Sequence, residues 1–306
     1  MISNLDPASE RFLLDLTRIQ KAIGGATQTI SSGLRVTSPS DAPDEISDIL
    51  QLYADIERNT QIRTNLGRVS AEASTAQSTL ETAARMVDRV RVLASQGAGT
   101  IQTAETRQIL AGEVTALLEQ LVNASRTIVE NRYIFSGDQD QAPSYQVNLA
   151  NPNGVDRLST AAASRQVQHP SGLAFSVAKT AQEIFDSRNA DDTLAADNVF
   201  AAVNSLRVAL ESDDDTGIES SLVALRSAGT RLSKELSFYG AVQNKLEEAA
   251  NFASQFELRL KTELSNRRDA DLTEAILELE RNKTHEEAAL GARALMPHTS
   301  LFDFLS

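Results

Sequence analysis

A few side chains in this chain stand in patterns that could support chemistry. His285-Glu286-Glu287-Ala288-Ala289 begins like the helix of a zinc protease, but Ala289 stands where the second histidine must be. That chemistry needs two ligands one helical turn apart, so a solvated helix face is the better reading. Asp213-Asp214-Asp215-Thr216-Gly217 is similar to the start of a calcium loop. Its glycine falls one place early and Ala224 occupies the position of the closing acid, so an acidic helix start, favoured by the helix dipole, is expected instead. Gly97-Ala98-Gly99 lacks the third glycine of a dinucleotide loop and follows no strand, which leaves a turn. His169 and His298 have no triad partners in view. Asn123-Ala124-Ser125 and Asn282-Lys283-Thr284 fit the glycosylation pattern but fall in predicted helices. Tyr133 and Phe135 could stack on a ligand; a core or interface role suits aromatics at a helix end better. There is no cysteine, which removes disulfides, thiolate metal sites and cysteine nucleophiles. The expectation is no catalytic residue, no metal and no cofactor.

Composition points to packed helices. Hydrophobic residues make up 41% of the 306 residues, enough for a core, yet aromatics are 5% and tryptophan is absent. Such a core must be built from Leu, Ile, Val and Ala. A net charge of −13 argues against nucleic acid or an anionic membrane as partner, since either demands a basic face. No apolar run approaches the ~18 residues of a membrane span. Asp6, Pro7 and Glu10 stand where a secretory signal would be basic and then apolar. The plain expectation is a cytoplasmic protein, with export lacking a cleavable signal left open.

The elements follow from periodicity. At the amino end Ile2, Leu5, Phe12, Leu16, Ile19, Ile23, Ala26 and Ile30 recur in steps of three and four, broken at Ser9. That is a coiled-coil seam in need of a partner. Ser31 to Pro43 carries Gly33, Pro39 and Pro43 and reads as an extended linker, with helix restarting near Asp44. From there to Ala98 the spacing predicts one long helix, with Leu66, Val69, Ala73, Ala76, Leu80, Ala83, Val87, Val90 and Ala94 on its seam. A second helix is predicted over 104–131, with Leu110, Val114, Leu117, Leu121, Ala124 and Ile128 facing the first across the glycine turn. The two make an antiparallel hairpin.

Residues 132–180 change character. Gln146-Val147-Asn148-Leu149 and Leu173-Ala174-Phe175-Ser176-Val177 alternate, with a turn at Asn151-Pro152-Asn153-Gly154. Helix is expected again from Ala181, cut near Asp191, restarting at Leu194, and broken at 213–215. A long helix follows over 216–266, then a short linker at 267–271. The last helix spans Leu272 to Leu295, stopped by Pro297. Its seam is read as Leu272, Ile276 and Leu279, then Lys283 and Glu286, then Leu290 and Leu295; the polar pair makes it poorer than the amino-terminal seam.

The expected fold is therefore mainly α: a long antiparallel helical hairpin or bundle, paired terminal coiled-coil helices, and a small inserted β module. Three parts are expected. Residues 1–43 with 267–306 form a terminal assembly domain, 44–137 with 191–266 a long-helix body, and 138–190 the insert.

Four segments, in order, carry a family resemblance. Ile30-Ser31-Ser32-Gly33-Leu34-Arg35-Val36-Thr37-Ser38-Pro39-Ser40-Asp41-Ala42-Pro43 resembles the linker after the first helix of the bacterial flagellin superfamily. Its Ser-Pro-Ser-Asp form is closer to the hook–filament junction proteins than to flagellins, which tend to carry Ala-Ala-Asp. Asn131-Arg132-Tyr133-Ile134-Phe135-Ser136-Gly137 is similar to the junction-protein segment closing the helical hairpin. Asp269-Ala270-Asp271-Leu272-Thr273-Glu274-Ala275 matches the second linker and helix start. Leu301-Phe302-Asp303-Phe304-Leu305 looks like the junction-protein terminus, where flagellins usually have an Asn-Gln element. Met296-Pro297-His298 departs from the usual Ser/Gln-rich approach. The resemblance covers residues 1–145 and 220–306.

The resemblance implies a structural subunit and no enzyme. It implies export through the flagellar type III channel, a cytoplasmic export chaperone, and assembly outside the cell with other copies, a neighbouring hook-associated protein and flagellin. Nucleic acid and membrane insertion are not expected. The assembly interface would comprise Ile2, Leu5, Phe12, Leu16, Ile19, Ile23, Ile30, Leu272, Ile276, Leu279, Leu290, Leu295, Leu301, Phe302, Phe304 and Leu305. Ser38, Pro39, Asp41, Pro43, Phe135, Ser136 and Gly137 would serve as linker motifs. Rival readings are a short flagellin and, less well matched to the linkers, a coiled-coil scaffold or injection-needle component.

Overall fold

A computed structural model describes residues 7–99 and 102–295. Seven helices and six short strands follow in order: α1 Pro7–Ser32, α2 Ile46–Gly97, α3 Ala104–Ser125, β1 Ile128–Val129, β2 Arg132–Tyr133, β3 Tyr145–Val147, β4 Val155–Arg157, β5 Gln166–Gln168, β6 Ala174–Ser176, α4 Ala181–Ile184, α5 Val199–Glu211, α6 Asp215–Arg268 and α7 Leu272–Ala294. The expected mainly-α bundle with a small β module is what forms. The chain divides into two compact units, 1–58 with 257–306 and 59–256. The division expected from sequence, at 43/44 and 266/267 with 138–190 apart, is a finer one.

In the unit spanning 59–256, α2 keeps its predicted seam: Leu66, Val69, Ala73, Ala76, Leu80, Ala83, Val87, Val90 and Ala94 are all buried. They share one core with Ile218, Leu225, Leu232, Tyr239 and Leu246 of α6. The α2–α3 hairpin is antiparallel, pinned by Arg89–Glu113 at 2.7 Å and by Arg107 Nε donating to the Gly97 carbonyl at 3.0 Å. Thr103 caps α3, its hydroxyl accepting from the Thr106 amide.

Two expectations fail here for local reasons. α3 stops at Ser125, not at Asn131, and Ile128 lies exposed in β1 rather than on the seam. The β-branched pair Ile128-Val129 is paired with Arg132-Tyr133 around Glu130 and Asn131. Both turn residues have positive φ (47° and 63°), the two-residue hairpin geometry that suits strand twist. Helix over 181–191 is likewise reduced to the single capped turn of α4, and the restart waits until Val199. Asp186, just past the end of that helix, is fully buried and accepts side chains from elsewhere on its carboxylate.

The β module consists of two-stranded antiparallel pairs, β3 with β4 and β5 with β6. The predicted turn at 151–154 joins β3 to β4. Phe135, Tyr145, Val155 and Val177 belong to the same core as the helices, so the insert has no separate core of its own.

Candidate assembly interface

In the unit spanning 1–58 and 257–306, α1 and α7 run antiparallel. Gln20 Nε2 donates to Glu286 Oε1 at 3.1 Å, and Arg293 Nη2 donates to Ser9 Oγ at 2.7 Å. The Arg293 guanidinium also lies 5.7 Å from the Phe12 ring centroid, a cation–π distance. The α1 stripe faces α7 as predicted: Phe12, Leu16, Ile19, Ile23 and Ile30 are half-buried and Ala26 is buried.

The α7 seam differs from the one predicted. The residues turned toward α1 are Ala275, Leu279, Asn282, Glu286, Ala289 and Arg293, an unbroken 4–3 series. Leu279 and Glu286 are among the expected positions; Leu272, Ile276, Lys283, Leu290 and Leu295 are exposed instead. The pairing turns α7 by about one residue from the phase that maximises leucine burial. Glu286 and Arg293 are satisfied by Gln20 and Ser9, which holds the polar series on the seam. Ala26 at 5% and Ala275 at 6% exposure are the buried residues of this pair among the described ones. Ile2, Leu5, Leu301, Phe302, Phe304 and Leu305 lie outside the described residues.

The first linker, expected to be extended, is a built turn. Asp41 Oδ2 accepts from the amides of Ser38 (2.7 Å) and Thr37 (2.9 Å) and from the Thr37 hydroxyl (2.9 Å). Those backbone bonds hold its carboxyl down to about 2. Pro39 occupies the second position of the Ser38–Asp41 turn, whose closing bond is 3.0 Å, where its fixed φ is favoured. Pro43 stands at the start of the turn leading into α2, where no amide is needed. The first linker is tied to the second: Arg35 N and Val36 N donate to the Arg268 carbonyl, and Ala270 N donates to Gly33 O. Asp271 then caps α7 by accepting from Thr273 N and Glu274 N. Arg267 pairs with Asp48, and Arg268 reaches the Tyr53 hydroxyl at 2.5 Å.

The second motif, Phe135-Ser136-Gly137, works inside the other unit. Phe135 is fully buried and meets Phe185 edge-on at 6.1 Å. Ser136 donates to the Ala142 carbonyl and accepts from Ser144. Gly137 has φ +59°, and a Cβ there would sit 2.5 Å from the Ala163 carbonyl oxygen; glycine is required on both counts.

Sequence reasoning missed the polar node on Asp186. Its carboxylate accepts from Tyr145 Oη (3.1 Å), Asn153 Nδ2 (3.1 Å), Asn198 Nδ2 (2.8 Å) and Arg188 Nε (2.9 Å). Burial, with Asp186 beside it, pushes the Tyr145 hydroxyl well above its ordinary range. These donors come from segments up to 41 residues away, and no local spacing announces them. The acidic run at 213–215 binds a residue of this chain: Asp213 (2.6 Å) and Asp215 both pair with the buried guanidinium of Arg107.

Residues 4–140 match the helical region found at the amino terminus of bacterial flagellin, and residues 222–305 match the carboxyl-terminal helical region. A flagellin of Bacillus subtilis is 24% identical over 269 residues, covering 86% of this chain and 85% of that protein. The fold is similar to that of the flagellar hook associated protein-3 of Legionella pneumophila, with a TM-score of 0.61 and 16% identity over 72% of this chain and 98% of that one. It is also similar to a structure of the flagellar junction protein from Legionella pneumophila, with a TM-score of 0.54 and 16% identity over 67% of this chain and 99% of that one. Both terminal helical regions of one family are thus present, in order, over more than two-thirds of the sequence: the chain belongs to the bacterial flagellin family.

Proposed function

We propose that this chain is a structural subunit of the bacterial flagellum that adapts the hook to the filament at their junction, by helix-mediated self-assembly. The observation that carries the reading is the incomplete α1–α7 pair. It buries two alanines while Leu13, Leu14, Leu272, Ile276, Leu277 and Leu290 stay exposed, so further helices must complete it. The Ser38-Pro39-Ser40-Asp41 turn and the Leu301–Leu305 sequence support the junction over the filament body. The partners on this reading are other copies, a neighbouring hook-associated protein and flagellin, with a cytoplasmic export chaperone before secretion. On this reading the chain is exported and works as part of the extracellular appendage. No described helix is long and apolar enough to cross a membrane.

Deleting the gene tests this. Cells should carry hooks without filaments and shed flagellin into the medium; motile cells with normal filaments would refute it. The match to a Bacillus subtilis flagellin favours a second reading, a short filament subunit. Quantity separates the two: a junction protein is a minor component of purified filaments and a filament subunit is the bulk of them.

A further inference from the structure

Asn153 and Gly154, in the turn between β3 and β4, are the one Asn-Gly pair in the sequence. Glycine after asparagine leaves the side-chain amide open to attack by its own backbone. With no Cβ in the way, the nitrogen of residue 154 can swing onto Asn153 Cγ. The two other asparagines of this turn differ. Asn148 is followed by the bulk of Leu149, and Asn151 by Pro152, which has no N–H to lose.

The packed turn shuts this reaction. Asn153 is 4% exposed, which keeps water and base away. The Gly154 N–H, whose proton must leave, donates to the Asn151 carbonyl at 2.9 Å. Asn153 Nδ2 donates to Asp186 Oδ1 at 3.1 Å, which fixes the side chain. The same packing demands the pair. Gly154 has φ +73°, and a Cβ there would lie 2.7 Å from Leu118 Cδ2 and 3.0 Å from Asn204 Cγ, so a side chain is strained at this position. Asn153 is needed as a donor, because the fully buried Asp186 carboxylate is surrounded by donors.

We propose that Asn153–Gly154 is a deamidation site, closed by folding and opened by unfolding of the unit 59–256, whose products bar the chain from refolding. In the opened chain the Gly154 nitrogen, once deprotonated, bonds to Asn153 Cγ. The Cγ–Nδ2 bond breaks, and ammonia leaves with a proton from water, closing a succinimide ring. Water then adds to either ring carbonyl and opens the ring, to aspartate at 153 or to an isoaspartyl link. The balance is one water taken up and one ammonia released, with no oxidation. Aspartate at 153 puts a second carboxylate where the donor stood, 3.1 Å from Asp186, and two like charges that close cannot both stay ionised. The isoaspartyl link adds a carbon to the main chain inside a turn closed by two 2.9 Å bonds, Asn148 N to Gly154 O and Gly154 N to Asn151 O. It displaces β4 against β3. The site does not depend on the flagellar assignment.

The full-length protein tests it. Samples are held at mildly alkaline pH, native and in guanidinium chloride. Residue 153 is then followed by peptide mass spectrometry and by enzymatic methylation of isoaspartate. Conversion should run at least ~10-fold faster in the unfolded chain, with Asn148 and Asn151 of the same segment unchanged. Equal rates in the two states, or conversion of Asn148 at the same pace, overturns the proposal. Chains aged unfolded are then diluted into buffer, and the refolded monomer should be depleted of converted residue 153 relative to the fraction that stays unfolded. Equal content in the two fractions overturns the bar to refolding. As a further arm, Asn153→Asp should lower the urea midpoint or prevent folding; a midpoint equal to the parent's overturns that bar as well.

Discussion

Ser9, the one break in the α1 apolar stripe, accepts a 2.7 Å hydrogen bond from Arg293 near the far end of α7. The polar interruption in one helix is thus matched by a polar residue on the other. Such matching fixes alignment more than it adds stability, because exposed pairs of this kind contribute little.

The α1–α7 pair should accordingly open far more readily than the core of the other unit. In hydrogen exchange on the monomer, residues 9–30 and 272–294 should lose protection at least ~100-fold faster than 66–94 of α2, since short helices with half-buried seams are marginal in water. Equal protection across both sets would mean that the α1–α7 pair is complete in the monomer.

Asp186 should be the costliest single carboxylate to remove. Asp186→Ala leaves the Tyr145 hydroxyl, two asparagine amides and the Arg188 guanidinium without their acceptor. Breaking such a buried pair costs about 3–5 kcal/mol, read as a lower urea midpoint. A loss below about 1 kcal/mol would show that these groups find other partners.

Arg107 is buried, and burial works against its charge, yet the bonds to Asp213 and Asp215 outweigh this and raise its pKa. Arg107→Ala should destabilise by about 1.5–3 kcal/mol, the range for bonds to charged groups. Arg107→Lys should recover only part, because an ammonium cannot reproduce the fork that reaches Gly97, Asp213 and Asp215 at once. Full recovery by lysine would argue that charge alone matters here.

Asp41 gives a pH signature. Its folded value of about 2 lies below the ordinary 3.8, so its contribution is present above the unfolded value and is lost as pH falls through the folded one. Titration of the Asp41 carboxylate by NMR should show a midpoint near pH 2. Asp41→Asn should remove the acid sensitivity of the Thr37 and Ser38 amide signals. A midpoint near 4 would mean the turn does not persist in solution.

Much of this fold is legible in one dimension. The seam of α2 is long, apolar and strictly periodic, so local pattern and packing agree along its length; on α6 Leu225, Leu232, Tyr239 and Leu246 are buried, but Ser221 and Glu235 share the seam with them. The glycine turn at 97–99, the acidic break before α6 and the Asp271 cap are equally local. The end of α3 was not legible, because a two-residue hairpin with positive φ at Glu130 and Asn131 overrides a helical spacing that continues through Ile128. The role of Asp186 was not legible either: its donors Tyr145, Asn153 and Asn198 converge only once β3, the 151–154 turn and α5 have packed.

The same division runs through α7. From sequence alone, helix, length, caps and a three–four apolar repeat are determined, because each depends on neighbours within a turn or two. Which of two adjacent heptad phases faces α1 depends on a second helix more than 250 residues away. Burial of large apolar side chains favours the phase of Ile276 and Leu290. Glu286 and Arg293, bonded to Gln20 and Ser9, stand in the series common to both phases; the packed pair covers Ala275, Asn282 and Ala289 instead, and that choice, made by tertiary structure, leaves Ile276 and Leu290 outside.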